Sequence, residues 1–68
     1  QELGDRREIA VTLHNLGVLY QTQEKLELAR QAFLESRDIF SDLRLEKDVA
    51  EEEEMIRDLD QEVEPQAG

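Results

Sequence analysis

The sequence has no cysteine and no tryptophan, and its 68 residues include only one tyrosine and two phenylalanines. Without cysteine, the chain can form neither a disulfide scaffold nor a thiolate zinc site. A chain of this length without disulfides seldom gains more than about 3–5 kcal/mol from its core. We therefore expect part of its apolar surface to need a neighbouring structure.

Positive charge is scarce, and long apolar runs are missing. Eighteen acidic residues stand against eight basic ones, which gives a formal net charge of −10. This charge disfavours nucleic acids and anionic membrane surfaces as partners and favours a basic or neutral protein or peptide. The lack of an apolar run of about 18 residues predicts that no segment spans a membrane. A cytoplasmic location is the default expectation.

Glycine and proline lie near the ends of the chain, so residues 18–64 contain neither of these helix breakers. Apolar residues recur there at helical spacing, and β-branched residues are few, which predicts an all-α protein. We expect antiparallel packing of the first two helices, because their connection is short. The predicted segments are a leader over 1–4, a helix pair over 5–43, a third, acidic helix over 44–63 and a disordered tail over 64–68.

The first helix is predicted to begin at Asp5, whose side chain would cap it together with Glu8, and to end near Gln21. Each helix has a stripe of residues that we expect to face the core. The stripe of the third helix is interrupted by glutamates. The three stripes are Ile9, Leu13, Leu16 and Tyr20, widened by Ala10 and Gly17; then Leu26, Ala29, Phe33, Ser36, Phe40 and Leu43, with Leu28, Ala32 and Ile39 beside them; and finally Leu45, Val49, Glu52, Ile56, Leu59 and Val63, with Ala50 and Met55 adjacent.

The connection between the second and third helices leaves two arrangements open. Residues 41–45 contain no glycine or proline, so the chain can turn there or continue as one rod. In a rod, the third helix would pack on a second molecule as a domain swap. We favour a turn near Asp42 to Leu45, because folding back onto Phe33 and Phe40 avoids the entropy lost on association.

A motif in the first two helices resembles the tetratricopeptide repeat family. It reads Leu13-x-x-Leu16-Gly17-x-x-Tyr20 and continues as Ala29-x-x-x-Phe33. In this pattern the small Gly17 and Ala29 let the two helices approach, and Leu16, Tyr20 and Phe33 fill the space beside them. Four positions differ from the usual residues: Leu13 for Trp, Glu24 for Gly, Ser36 for Ala and Ser41 for Pro.

A second similarity appears at an offset of 40 residues, where residues 3–10 align with 43–50. This spacing resembles the longer tetratricopeptide-like repeats of kinesin light chains and bacterial regulatory proteins. Gly17 then corresponds to Arg57 and Tyr20 to Asp60, so the close-packing signature is lost in the third helix. The resemblance implies an α-solenoid fragment, in which one helical hairpin is followed by a capping helix.

The resemblance also implies a protein-interaction scaffold. In this family the first helix of each pair lines the ligand groove, and an asparagine at the position of Asn15 commonly hydrogen-bonds the main chain of an extended peptide. No mapped position is basic, which disfavours a ligand that ends in a carboxylate. The positions implied on the first helix are Val11, His14, Asn15, Val18 and Gln21; the offset adds Glu51, Glu54, Met55 and Asp58 on the third.

We expect no enzyme, no cofactor and no metal site. The chain has a single histidine and no glycine-rich loop, so it lacks the groups that catalysis needs. His14 is expected at an exposed helix position, with ligand contact as the alternative. Neighbouring residues within 51–54 point about 100° apart on a helix, so their carboxylates do not converge as a calcium site requires. We therefore interpret the run as a solvated face. The alternative function is a structural self-assembly module, a homo-oligomer formed through open helix faces.

Overall fold

The computed structural model describes residues 3–63, and side chains within 5–61, as three helices joined by short turns. The helices are α1 (Leu3–Thr22), α2 (Leu26–Asp42) and α3 (Glu46–Val63). The prediction of an all-α fold, with a hairpin followed by a third helix, is confirmed. The predicted tail, 64–68, lies outside the described residues, as do residues 1–2 of the leader.

Helix α1 begins at Leu3, which is earlier than the predicted start at Asp5. Asp5 therefore lies inside the first turn and is not the residue that precedes the helix. A carboxylate in the first turn still stabilises the helix, since the free N–H groups there carry partial positive charge. The carboxylate of Asp5 therefore acts from within the first turn of α1, and not as the predicted cap.

The two turns share one geometry, which is a Schellman ending without glycine. Glu24 and Arg44 both have φ of 62°, in the left-handed region. The Lys25 N–H donates to the Tyr20 carbonyl at 2.9 Å, and the Leu45 N–H donates to the Phe40 carbonyl at 3.0 Å. These bonds satisfy carbonyl groups that the helix end leaves free. Each turn is therefore closed by main-chain hydrogen bonds, and a charged residue takes the position that usually favours glycine.

Contacts between α1 and α2 show that the two helices are antiparallel. The Ser36 hydroxyl donates to the Ala10 carbonyl at 2.8 Å, and Arg6, one turn earlier on α1, pairs with Asp42, later on α2, at 3.1 Å. The bond from Ser36 is buried. It explains why serine fits where the repeat pattern has alanine, because the hydroxyl is satisfied by the neighbouring helix.

Gly17 lies directly under the ring of Phe33. A Cβ atom at this position would come within 2.6 Å of the ring, closer than real Cβ contacts. The group for which Gly17 makes room is therefore the phenylalanine. Ala29 is fully buried in the same region and belongs to the cluster around Phe33.

Helix α3 folds back onto α2 of the same chain, as favoured above. Ile56 and Leu59 are buried against Ala29 and Phe33. Near the open end of this interface, Arg30 of α2 pairs with Asp60 of α3 at 2.8 Å. The turn at Arg44 reverses the chain without glycine or proline.

The expected core stripe of α1 is wrong at two positions. Ile9 is 50% exposed and Leu16 is 37% exposed, whereas Ala10 and Gly17 are buried. Leu13 and Tyr20 are half-buried between these two sides. The helix turns its small residues toward α2, because only they leave room for the Phe33 ring at this separation. Leu16 therefore does not fill the space beside the contact.

Candidate interaction site between the first and third helices

A notch lies where α1 and α3 approach each other above α2. It has a volume of about 130 Å³. We call it the α1–α3 notch, and its lining residues are Val11 and His14 of α1, Phe40 of α2, and Asp48, Glu51 and Glu52 of α3. One side of the notch is therefore apolar, and the other carries three carboxyl groups.

Both helices present these residues because each packs on α2. Two reversals of the chain make α1 and α3 run in the same direction, side by side. On α1, Val11 and His14 are three residues apart and so lie on one face. On α3, Asp48, Glu51 and Glu52 lie within about one turn of each other. Packing on α2 and the helical spacing together bring the α1 residues and the α3 carboxyl groups to the same opening.

Glu52 is the most unusual residue of the notch, because its side chain is only 2% exposed. His14 Nδ1 and Glu52 Oε2 are 2.7 Å apart, so an ionised Glu52 accepts a hydrogen bond from this ring nitrogen. The other carboxyl oxygen, Oε1, is buried and has no hydrogen-bond partner among the described residues. A buried polar atom without a partner costs stability. Glu52 is thus only half satisfied.

Burial raises the pKa of the Glu52 carboxyl above its ordinary value. The charge and the hydrogen bond of His14 act in the opposite direction, whereas the negative charges of Glu51 and Asp48 add to the rise. Removing the carboxyl from water disfavours its ionised form, and His14 compensates for only part of that effect.

Two expectations about these residues are wrong. His14 is not an exposed position, since its side chain is 23% exposed and its ring centre lies 5.6 Å from that of Phe33. The run 51–54 is not uniformly solvated, because Glu52 is buried while Glu51, Glu53 and Glu54 are exposed. One signal did exist in the sequence. Glu52 occupies a position of the apolar stripe of α3, where a solvated side chain does not belong.

The structure brings together only some of the predicted ligand residues. Val11 and His14 line the notch. Asn15 and Val18 are exposed further along α1, and Gln21 is half-buried near its end. On α3, Glu51 lies in the notch, whereas Glu54 and Asp58 are exposed outside it, and Met55 packs against the core. Asp48 lines the notch and was not predicted.

The notch does not have the geometry of a metal site. Among the side chains that the structure describes, no three of the ligating types converge on a point where they could hold an ion. Across residues 3–63, no helix has the combination of length and apolarity needed to cross a membrane. A larger hollow of about 440 Å³ is lined, as far as the structure describes its residues, by α1 alone, including Ile9 and Leu13, and forms part of the exposed apolar side of that helix.

Comparison with known proteins yields no relative: no family model matches the chain, and no significant match occurs among curated proteins or solved structures.

Proposed function

We propose that the chain is a protein-interaction module without catalysis of its own, a tetratricopeptide-like helical fragment that binds a peptide or protein along the groove face of α1. The observation that carries this proposal is the α1–α3 notch, where side chains of three helices meet at one opening. Asn15 and Val18 continue the same helix as exposed residues. They extend a surface on which a peptide strand would lie, in a cytoplasmic setting.

The partner is basic or neutral. Of the six described residues that line the notch, three are acidic and none is lysine or arginine. Opposite charges on the partner would accelerate its association and select it over acidic competitors. Part of this attraction comes from exposed carboxylates, so binding should weaken when salt shortens the screening distance to about 8 Å at physiological ionic strength.

The test is selection from a random peptide library, followed by mapping of the selected peptides on the chain by NMR amide shifts. We expect basic or neutral sequences that shift Val11, Asn15 and Val18. Asn15→Ala should weaken their binding, because the family resemblance implies that the amide of Asn15 hydrogen-bonds a peptide main chain. Gln31→Ala is the matched control, since Gln31 is an equally exposed amide on α2. Shifts confined to Arg30 and Arg37 on α2 would contradict the proposal.

A second candidate, self-assembly, is favoured by one specific observation. Ile9, Leu16 and Leu19 are exposed together on α1, with Leu19 at 50%. An apolar surface of this kind is normally covered by another element. Sedimentation at several concentrations would show a dimer or larger species that disappears in Leu16→Ser/Leu19→Ser but persists in Leu28→Ser. A monomer at every concentration would exclude this candidate.

A further inference from the structure

The geometry points to a more specific role for the α1–α3 notch: it accepts the side chain of one arginine from the partner protein, with the guanidinium group bound between the carboxyl groups of Glu51, Glu52 and Asp48. This inference rests on the proposed function, because it names the chemistry that the groove recognises. Three observations support it independently of one another, and they concern size, surface chemistry and an unsatisfied atom.

The size of the notch limits what can enter it. Its volume of about 130 Å³ equals the space of roughly four water molecules. That space suits one long side chain and excludes a helix or a folded segment. The occupant must therefore be a single residue of a larger partner that lies along the groove.

The chemistry of the lining matches a side chain with an apolar stem and a cationic end. Val11, which is 41% exposed, and Phe40 offer apolar contact, while α3 supplies the carboxyl groups. Arginine combines a three-carbon stem with a planar guanidinium whose five N–H donors can reach two carboxylates at once. Arg7 of the same chain lies one turn before Val11, but it lines a different hollow and is not among the described residues that line the notch.

The unsatisfied atom is Oε1 of Glu52. His14 occupies Oε2 at 2.7 Å, and Oε1 remains buried without a partner among the described residues. Because Glu52 lines the notch, a donor that enters it would satisfy this atom once the carboxyl group rotates toward the opening, and a cationic donor would also bring a positive charge next to a desolvated carboxylate. Hydrogen bonds between charged groups of this kind are about twice as strong as neutral ones. A guanidinium supplies several such donors in a fixed plane, which an ammonium group does not.

The experiment uses the whole chain and three pentapeptides that differ only at the central residue of Gly-Gly-Xaa-Gly-Gly, blocked at both ends. The central residue is arginine, lysine or citrulline, the last being the neutral isostere of arginine. Titrations followed by NMR should show the arginine peptide shifting the amides of Val11 and Glu52 and the ring signals of His14. We expect lysine to bind several-fold more weakly and citrulline about tenfold more weakly or not at all.

Variants localise the effect. Glu52→Gln should weaken the arginine peptide about tenfold, and Glu51→Gln should weaken it about two- to fivefold, because Glu51 is exposed. Glu53→Gln is the matched control, since it removes the same charge from an exposed position of α3 outside the notch. If Glu52→Gln loses helicity by circular dichroism, the comparison of Glu51→Gln with Glu53→Gln still decides.

Two results would overturn the inference: equal binding of the arginine and citrulline peptides, or an equal loss in Glu51→Gln and Glu53→Gln. The second result would mean that only the general negative field of α3 attracts the peptide. The proposed function is judged separately. It stands if library peptides shift Asn15 and Val18 without depending on arginine, and it fails if Asn15→Ala and Gln31→Ala have the same effect on every peptide.

Discussion

Helices α1 and α3 pack on neighbouring faces of α2 and meet at His14 and Glu52, yet they bury different positions of the 40-residue alignment. At the offset of 40 residues, Gly17 of α1 is buried whereas its counterpart Arg57 is exposed. Conversely, Ile56 and Leu59 of α3 are buried, whereas their counterparts Leu16 and Leu19 are 37% and 50% exposed. These residues correspond at the 40-residue offset but have opposite environments: where one is buried, its counterpart is exposed.

The two helices differ in their number of apolar faces: α1 has two and α3 has one. Helix α1 has a buried face of small residues and an exposed face with Leu16 and Leu19. Helix α3 buries Ile56 and Leu59 where it meets α2, and its exposed side carries charged residues such as Glu53 and Arg57. This difference is what distinguishes an internal repeat from a terminal one in stacked helical proteins. It supports the interpretation of α3 as a capping helix within the proposed fold family.

The largest effect on stability should come from truncating Leu59, whereas truncating its counterpart Leu19 should have little effect. Leu59→Ala removes a fully buried side chain and should lower the free energy of unfolding by about 2–5 kcal/mol. Leu19→Ala, at the equivalent position of α1, should change it by less than about 0.5 kcal/mol. Urea unfolding followed by circular dichroism measures both. Similar losses in the two variants would show that α1 is already covered on its outer side.

Enlarging Gly17 should produce the next largest effect. Gly17→Leu places atoms where the Phe33 ring lies and should cost about 1–3 kcal/mol or more. Ala29→Leu should behave in the same way, because Ala29 is fully buried. Arg57→Leu, at the position that corresponds to Gly17, should leave the melting temperature nearly unchanged. If thermal melting showed unchanged midpoints for Gly17→Leu and Ala29→Leu, the close contact would have to be abandoned.

The two turns should respond equally to glycine. Glu24→Gly and Arg44→Gly each remove a left-handed residue with a side chain and should stabilise the protein by at most about 1 kcal/mol. Gln23→Gly, one residue earlier and without positive φ, should be destabilising and serves as the control. A gain at only one of the two positions would mean that the turns are not equivalent in solution.

The smallest effect is a change in the pH dependence of stability. Because burial raises the pKa of Glu52 in the folded state, the folded chain binds more protons than the unfolded chain above the ordinary pKa of glutamate, 4.5. The contribution of this group is present below that pH and is lost as pH rises through the folded pKa. Wild type should therefore lose stability relative to Glu52→Gln over the pH range that begins near the ordinary glutamate pKa of 4.5 and extends upward.

Thermal melts of both proteins across this range measure the difference. Glu53→Gln, which alters an exposed carboxylate on the same helix, should follow wild type. A constant difference between wild type and Glu52→Gln at all pH values would mean that the buried carboxyl does not titrate abnormally.

The three helices could be predicted from local pattern, whereas the second turn was left open by that pattern and the orientation of α1 was only partly predictable. Ile9 and Leu16 satisfy helical spacing as well as Ala10 and Gly17 do, and large apolar residues usually face the core. Here the bulk of Phe33 on α2 decides which side of α1 fits. That information lies in a contact between helices, which periodicity within one helix does not contain.

The candidate site was only partly predictable for a related reason. Val11 and His14 followed from the repeat register, but Glu52 stands in a run of four glutamates, and its partner His14 is 38 residues away. A charge run normally indicates a solvated surface. The position of Glu52 in the apolar stripe of α3 was the one local sign of its burial.

The two Schellman turns also have a consequence for how fast the protein folds. Each is closed by a main-chain bond between residues five apart, and the main helix packing joins helices that are neighbours in the chain. Folds dominated by contacts of such low sequence separation form within microseconds to milliseconds, because little loop-closure entropy is lost before packing begins. We expect that either hairpin can form first, after which the remaining helix packs on the neighbouring face of α2.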